Sequence, residues 1–474
     1  MKKTLNQRKN EAKDEFLEIV KTYVIPLLDI KGNCQLVDEP YNNKLFIEKT
    51  TDSSEVRIFP LVSRHNIPSP FYVKAKLNNR YNIPKSLHRI LAELLKVSEY
   101  NYSDFSIKRF YGKEGARQSS YKHRAFNLAY ELGICEWITQ TEEDAVVLHT
   151  VIAQIINWSC RTYEGKKVPF GIVIDFNQEA NDNNADYLSF LNNDSSAVFT
   201  DGVFSGILLD KNGRVLSFIT CNTIVHSNNN GKQIFVPYQF EDIAKHCLGF
   251  TIGIIALKNG EIILIKDQAI VFAKRGSKWI YFNWECVYHN LRPYFLKDSS
   301  LSENDIYDRC QQLYCTMLDV SFAHSGGCIA LIIPDKENSK EIKNIIKERI
   351  DLCCQGEFPN GISAESKEKM TIMSYLLSYQ NSRMQSFFDI ERVLRKEIIG
   401  LDGATVISLN GSFYCAGSIV SVTSGSSGGG RTAAAKKLSN LGVGIKISED
   451  GYIEAFGLNL NESSERIVRL FDFK

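Results

Sequence analysis

The sequence predicts an α/β protein made of more than one domain, and three observations predict it. The last third of the chain alternates helical and strand-like segments, the pattern of a mixed central sheet flanked by helices. The middle is a succession of short apolar runs separated by Gly and Asn turns, the pattern of a β-rich domain. The first part mixes amphipathic helices with short strand-like runs, an α+β region. A chain of 474 residues accommodates two or three domains, and these patterns divide it into 1–148, 149–297 and 300–474.

In the first region, Glu11 to Leu28 reads as a helix with Phe16, Ile19, Val20, Tyr23 and Leu27 on one face. Ile83 to Leu95 reads as a second, with Pro84 at its start. Lys44 to Glu48 and Val56 to Phe59 read as strands. Lys108, Arg109, Lys113, Arg117, Lys122 and Arg124 interleave with Phe110, Tyr111 and Tyr121. That mixture could contact a nucleic acid or another polyanion, but a solvated helix-loop face is the commoner reading.

In the second region, strands are expected at Phe170 to Ile174, Gly206 to Leu209, Arg214 to Thr220, Gln268 to Ala273 and Lys278 to Phe282. Ile254 to Leu257 and Glu261 to Ile265, joined through Lys258-Asn259-Gly260, form the clearest hairpin signal. His226, His246 and His289 are scattered and read as structural or exposed. The third region carries helices at Asn304 to Phe322, Lys340 to Ile350, Asp389 to Ile399 and Thr432 to Leu441. Its strands are Ser325 to Pro334, Ala404 to Leu409, Gly411 to Val420, Gly444 to Ser448 and Tyr452 to Phe456.

Composition excludes several classes. With 56 Lys plus Arg against 55 Asp plus Glu, a net charge of +1 gives no global attraction to nucleic acid or an anionic membrane. The twelve cysteines contain no CxxC pair, so neither a zinc spacing nor a compact secreted disulfide framework fits. The chain starts polar, and its longest apolar run, Leu248 to Leu257, is too short to span a bilayer. A reduced, soluble, cytoplasmic protein is the expectation.

Two motifs carry chemistry. Leu401-Asp402-Gly403-Ala404 places a carboxylate at the mouth of an apolar run, where it suits a hard divalent cation. Ser424-Gly425-Ser426-Ser427-Gly428-Gly429-Gly430-Arg431-Thr432 is a loop rich in backbone N–H groups that ends in a cation and a helix start, a place for phosphates. Each has a plainer reading: Asp-Gly is a frequent turn pair, and a Gly/Ser loop is often only flexible. His324 reads as a capping or packing residue in preference to a catalytic base.

The order of strand 327–333, helix 389–399, Asp402-Gly403-Ala404, the Gly-rich loop into Arg431-Thr432-Ala433-Ala434-Ala435, and Ser448-Glu449-Asp450-Gly451 resembles the diadenylate cyclase (DAC) domain family. The upstream part looks, more loosely, like the sensor modules that precede cyclase domains in some bacterial signalling and conflict systems. The resemblance implies the condensation of two ATP into cyclic di-AMP, a second messenger, with pyrophosphate release. It implies Mg²⁺ or Mn²⁺ held by Asp402 and Glu449, with Asp402 also orienting or deprotonating the attacking hydroxyl. Gly403 and Ala404 would let the nucleotide approach, Gly428, Gly429 and Gly430 would cradle phosphates, and Arg431 and Thr432 would contact the triphosphate. The family's site forms between two domains face to face, so a homo-oligomer is implied, with an activating ligand of unknown identity.

Two departures stand out. The family commonly has Arg-His-Arg before the two alanines, where this chain has Arg431-Thr432-Ala433, and Lys436, Lys437 and Lys446 are the candidate substitutes. The stretch between Asp335 and Gln385 is an insert. A cyclase controlled by its N-terminal regions and a degenerate cyclase domain serving as a nucleotide sensor are the two functions that follow.

Overall fold

The computed structural model describes residues 13–25 (without 15), 30–38, 47–49, 55–58, 72–77, 128–159 (without 129), 162–163, 166–167, 169–190 (without 182), 200–220, 234–337, 340–353 (without 347), 358, 360–379, 383–421, 429–460 and 466–473. The expected helix at Ile83 to Leu95 and the basic-aromatic cluster from Lys108 to Arg124 lie outside these residues, as do Ser424 to Gly428. The chain is of mixed α/β class and divides into two compact units. The first comprises 1–228 and 242–281, the second 229–241 and 282–474.

Among the described residues the first unit holds two large sheets and a two-stranded ribbon of Thr162–Tyr163 with Lys166–Lys167. Strands β1 (Ile30–Val37), β2 (Ile47–Lys49), β3 (Glu55–Ile58) and β4 (Tyr72–Leu77) form an antiparallel sheet of order β1-β4-β3-β2. Helix α1 (Glu142–Ser159) precedes a seven-stranded sheet built from β5 (Phe170–Asp175), β6 (Ser205–Asp210), β7 (Val215–Thr220), β8 (Thr251–Ala256), β9 (Ile262–Lys266), β10 (Ala269–Arg275) and β11 (Lys278–Tyr281). Its order is β11-β10-β9-β8-β5-β6-β7, and only β5 and β6 are parallel. The Asn259-Gly260 hairpin forms as its sequence predicts, joining β8 to β9. β9 is apolar on both faces because both are covered: Ile262, Ile263, Leu264 and Ile265 are all buried.

The boundary expected at 148 does not exist. It falls inside α1, whose Leu148, Val151, Ile152 and Ile155 share one apolar core with Phe16 and Val20 from the start of the chain, Val56 and Ile58 of β3, and Ile172 and Ile174 of β5. A cut there would expose that core, so the α+β region and the β-rich region are one unit. The boundary expected at 297–300 also moves, to 281/282.

The second unit begins with α2 (Trp284–Phe295) and α3 (Glu303–Ala323). Ser302 and Asp305 form a reciprocal capping box that starts α3. The strands are β12 (Gly327–Ile332), β13 (Ala404–Ser408), β14 (Phe413–Ser418), β15 (Gly442–Ile447), β16 (Ile453–Leu458) and β17 (Ile467–Phe473). They form one mixed sheet of order β14-β13-β12-β15-β16-β17, parallel only between β12 and β13. Between β12 and β13 the insert contributes α4 (Ala364–Leu377), followed by α5 (Arg392–Ile399); α6 (Gly430–Leu438) joins β14 to β15. Ala435 and Leu438 of α6 pack with Ala330, Ile332 and Val406 in the core on one face of the sheet.

Residues 234–241, which lie in sequence between two strands of the first unit, are part of the second. There Arg392 forks onto the buried Asp319 at 2.6 and 2.8 Å and onto Glu241 at 2.5 Å, while the Tyr238 N–H donates to Asp319 at 2.7 Å. A bidentate, charge-assisted clamp of this kind holds the segment in one geometry. Among the described residues no helix is long and apolar enough to cross a membrane, and most of the cysteines are buried.

Candidate functional site

Strand register brings the two sequence motifs to one end of the second sheet. β12 and β13 run parallel with Ile329 opposite Thr405, and β15 runs antiparallel with Ile447 opposite Gly327. The starts of β12 and β13 and the end of β15 therefore meet at one place. Asp402 stands just before β13, Gly326 just before β12, and Glu449 just after β15. Helix α6 packs on β12 and β15 and starts at this same end.

Arg431, in the first turn of α6, is the fixed point. Its guanidinium lies over the Gly326 backbone: a Cβ on Gly326 would stand 2.7 Å from Nη1. Nη1 also donates to Glu449 Oε1 at 2.8 Å. Glu449 in turn is tied back through its carbonyl, which lies 2.7 Å from His324 Nδ1. His324 is the left-handed C-cap of α3, the capping role its sequence position suggests. Arg431 and Glu449 thus meet, and Glu449, which the resemblance implies as a metal ligand, is engaged with Arg431.

Among the described residues, nothing closes off the start of α6. Gly429, with φ +82°, and Gly430 have no atom within 4 Å of where a Cβ would stand, and both are exposed. The helix start carries the positive end of the helix dipole, which favours an anion there. Thr432 is placed differently from expectation. It is 5% exposed on the inner face of α6, so its side chain does not line the opening.

Asp402 is exposed, and among the described residues no other side chain bonds its carboxylate. Gly403 and Ala404 serve packing. Ala404 is buried at the start of β13. Gly403 has φ +114°, and a Cβ there would drive into the Gly417 carbonyl and stand 2.7 Å from Ser418 N. The glycine is required by the close crossing of β13 and β14, whatever else approaches it.

The candidate substitutes for the missing loop cations are occupied elsewhere. Lys446 pairs with the buried Glu454 at 3.0 Å, and Lys436 sits over the Phe456 ring at 5.4 Å. Lys436 and Lys437 belong to the last turn of α6, about 9 Å along the helix from its start at 1.5 Å per residue. A cation that sequence reading did not single out is Lys369, from α4 in the insert. Its Nζ donates to the Gly417 carbonyl and lies 3.4 Å from the Asp402 carbonyl. No spacing rule points to it, because an insert of this kind has no motif to anchor it.

The residues present fit a divalent cation in one way only. Among the described residues no group of three or more His, Cys, Asp or Glu side chains is placed to hold a metal alone. Magnesium-type ions are commonly held by one or two carboxylates and by substrate phosphates, and Asp402, unengaged beside an open helix start, suits that arrangement. No protein-family model, no curated protein and no solved structure matches this chain.

Proposed function

We propose that the second unit is a diadenylate cyclase-like nucleotidyltransferase that condenses two ATP into cyclic di-AMP, or a related cyclic dinucleotide, and releases pyrophosphate. The observation that supports it is the convergence of Asp402, the Arg431–Glu449 pair and the open start of α6 at one end of a sheet. In this reading the α6 amides and Arg431 hold the triphosphate, and Glu449 keeps the guanidinium aimed. Lys369 adds positive charge beside Asp402. Asp402 holds Mg²⁺ or Mn²⁺ and orients the 3′-hydroxyl for in-line attack on the α-phosphorus of a second ATP. A divalent ion held by Asp402 would supply charge neutralisation to the phosphates. Most of the rate enhancement then comes from positioning and preorganised charge. Two chains present their sites to each other, and the first unit, with an activating ligand, governs the second.

A second reading, a nucleotide sensor without turnover, is favoured by one observation: Lys436 and Lys446 are engaged elsewhere, so among the described residues they do not replace the missing loop cations beside Arg431. The two readings separate on one assay. Purified protein is incubated with ATP and Mg²⁺ or Mn²⁺, and the products are analysed by mass spectrometry beside Asp402→Asn. A cyclic dinucleotide lost in the variant supports the enzyme. ATP binding without product supports the sensor, and no binding removes both.

A further inference from the structure

The seven-stranded sheet of the first unit and the six-stranded sheet of the second have the same wiring. In chain order, β5, β6, β7, β8, β9 and β10 stand side by side as β7-β6-β5-β8-β9-β10; β12 to β17 stand as β14-β13-β12-β15-β16-β17. In each, the first two strands are parallel and every other neighbour is antiparallel. A helix precedes the first strand and packs on the fourth: α1 on β8, α3 on β15.

The register agrees residue by residue. Ile172 opposite Ile207 corresponds to Ile329 opposite Thr405, and Ile172 opposite Ile254 to Ile329 opposite Ile445. The Asn212-Gly213 turn corresponds to Asn410-Gly411. Gly213 N donates to Asp210 O at 3.0 Å, as Gly411 N does to Ser408 O at 3.0 Å. The Asn259-Gly260 turn corresponds to Asp450-Gly451, with Gly260 N on Leu257 O and Gly451 N on Ser448 O, both at 2.9 Å. Two bulges match, at Leu208/Leu209 and Val406/Ile407, and at Leu264/Ile265 and Ala455/Phe456, while the second copy has one more at Ala404/Val406. Gly253 and Gly444 are equivalent, and each gives room to a covering segment: Cys247 Sγ would stand 2.7 Å from a Cβ on the first, the Ala435 carbonyl carbon 2.8 Å from one on the second. A matched hairpin alone is commonplace; matched order, direction, turns and bulges together are not.

We infer that the chain is an internal duplication of one fold, and that only its second copy carries the nucleotide chemistry. Counting along the matched strands, Asp402 falls on Phe204 and Glu449 on Lys258. Phe204 is exposed and apolar and Lys258 is a cation, so neither replaces the lost carboxylate. The first copy does keep an Asp-Gly pair before its second strand, Asp201-Gly202, but further out. There Asp201 Oδ1 accepts from the N–H groups of Val203, Phe204 and Ser205 at 3.0, 2.7 and 3.1 Å. That carboxylate caps its own loop and is not offered to a ligand. The first copy is a silent partner fold: one chain takes up one nucleotide, and a two-nucleotide reaction requires two chains.

The stoichiometry rests on the nucleotide reading above; the role exchange, taken only as a loop cap present at Asp201 and absent at Asp402, does not. Native mass spectrometry with 3′-deoxy-ATP and Mg²⁺, which cannot cyclise, reads the first. One nucleotide per chain is expected, kept in Asp201→Asn, whose Oδ1 still caps the loop, and weakened at least about tenfold in Asp402→Asn. Two per chain, or loss in Asp201→Asn alone, overturns the inference. No binding by the unaltered protein overturns the nucleotide reading, and thermal unfolding then judges the role exchange. Losing the loop cap in Asp201→Ala lowers the midpoint by about 2–4 °C, and Asp402→Ala does not. A drop confined to Asp402→Ala contradicts it.

Discussion

Gly403 shows how one residue's identity can be legible while its reason is not. From sequence, a glycine after Asp402 reads as room for a nucleotide. The folded chain gives a nearer cause, since its φ of +114° and the Gly417–Ser418 backbone leave no space for a side chain. Gly403→Ala is therefore expected to destabilise the second unit by roughly 1–3 kcal/mol through backbone strain and overpacking. Denaturant unfolding checks this, and an unchanged midpoint would show that β13 and β14 separate easily. Asp402, Arg431 and Glu449 were each legible as chemical types in the right order. Their mutual geometry was not: that Glu449 holds Arg431 follows only once β15 ends beside the start of α6.

Elements with a clean period or a strong turn were the readable ones. The β8–β9 hairpin, α3 and the strands flanking Asp402 follow from apolar runs and Asn-Gly or Asp-Gly punctuation. α4 was missed because its apolar residues encircle it: Met370, Met373 and Leu377 are buried while Ile372, Tyr375 and Leu376 are exposed. β17 was missed because Arg469 and Asp472 interrupt its apolar run. The first unit's elements are joined through Glu131, on the helix spanning 130–139. It binds Lys274 of β10 at 2.5 Å, Trp279 of β11 at 3.1 Å and His149 of α1 at 3.5 Å. Burial pushes its pKa up, but the hydrogen bonds from His149, Lys274 and Trp279 outweigh burial and hold it at about 2, against 4.5 ordinarily. The folded value is the lower one, so this stabilisation is present above pH 4.5 and is lost as pH falls toward 2. In acid titration followed by tryptophan fluorescence, Glu131→Gln is expected to be less stable than the parent at pH 7 and to converge with it near pH 2. A constant difference across that range would remove Glu131 as the linking charge.

For the molecule as a whole, composition carried little functional signal and topology carried more. A net charge of +1 gives no global attraction to a polyanion, and the cysteine spacing has no zinc pattern. The domain division was the least legible feature. Contacts between β3, α1 and β5 merge two regions that differ in composition, and the segment 234–241 leaves the first unit's sequence to join the second. The duplication was hidden for a related reason: the matched strands share register and turns but few side-chain identities, since a sheet buried on both faces accepts any apolar residue of suitable volume. One measurement reads the proposed site directly. Hydrogen–deuterium exchange with and without saturating ATP and Mg²⁺ reports on the backbone amides that would hold phosphate. Slowed exchange is expected at 429–433 and around the Ser448–Gly451 turn, reduced in Asp402→Asn, with none at the equivalent 257–260 turn of the first unit. Unchanged exchange at 429–433 under saturation, or protection confined to the first unit, would contradict a nucleotide site at the start of α6.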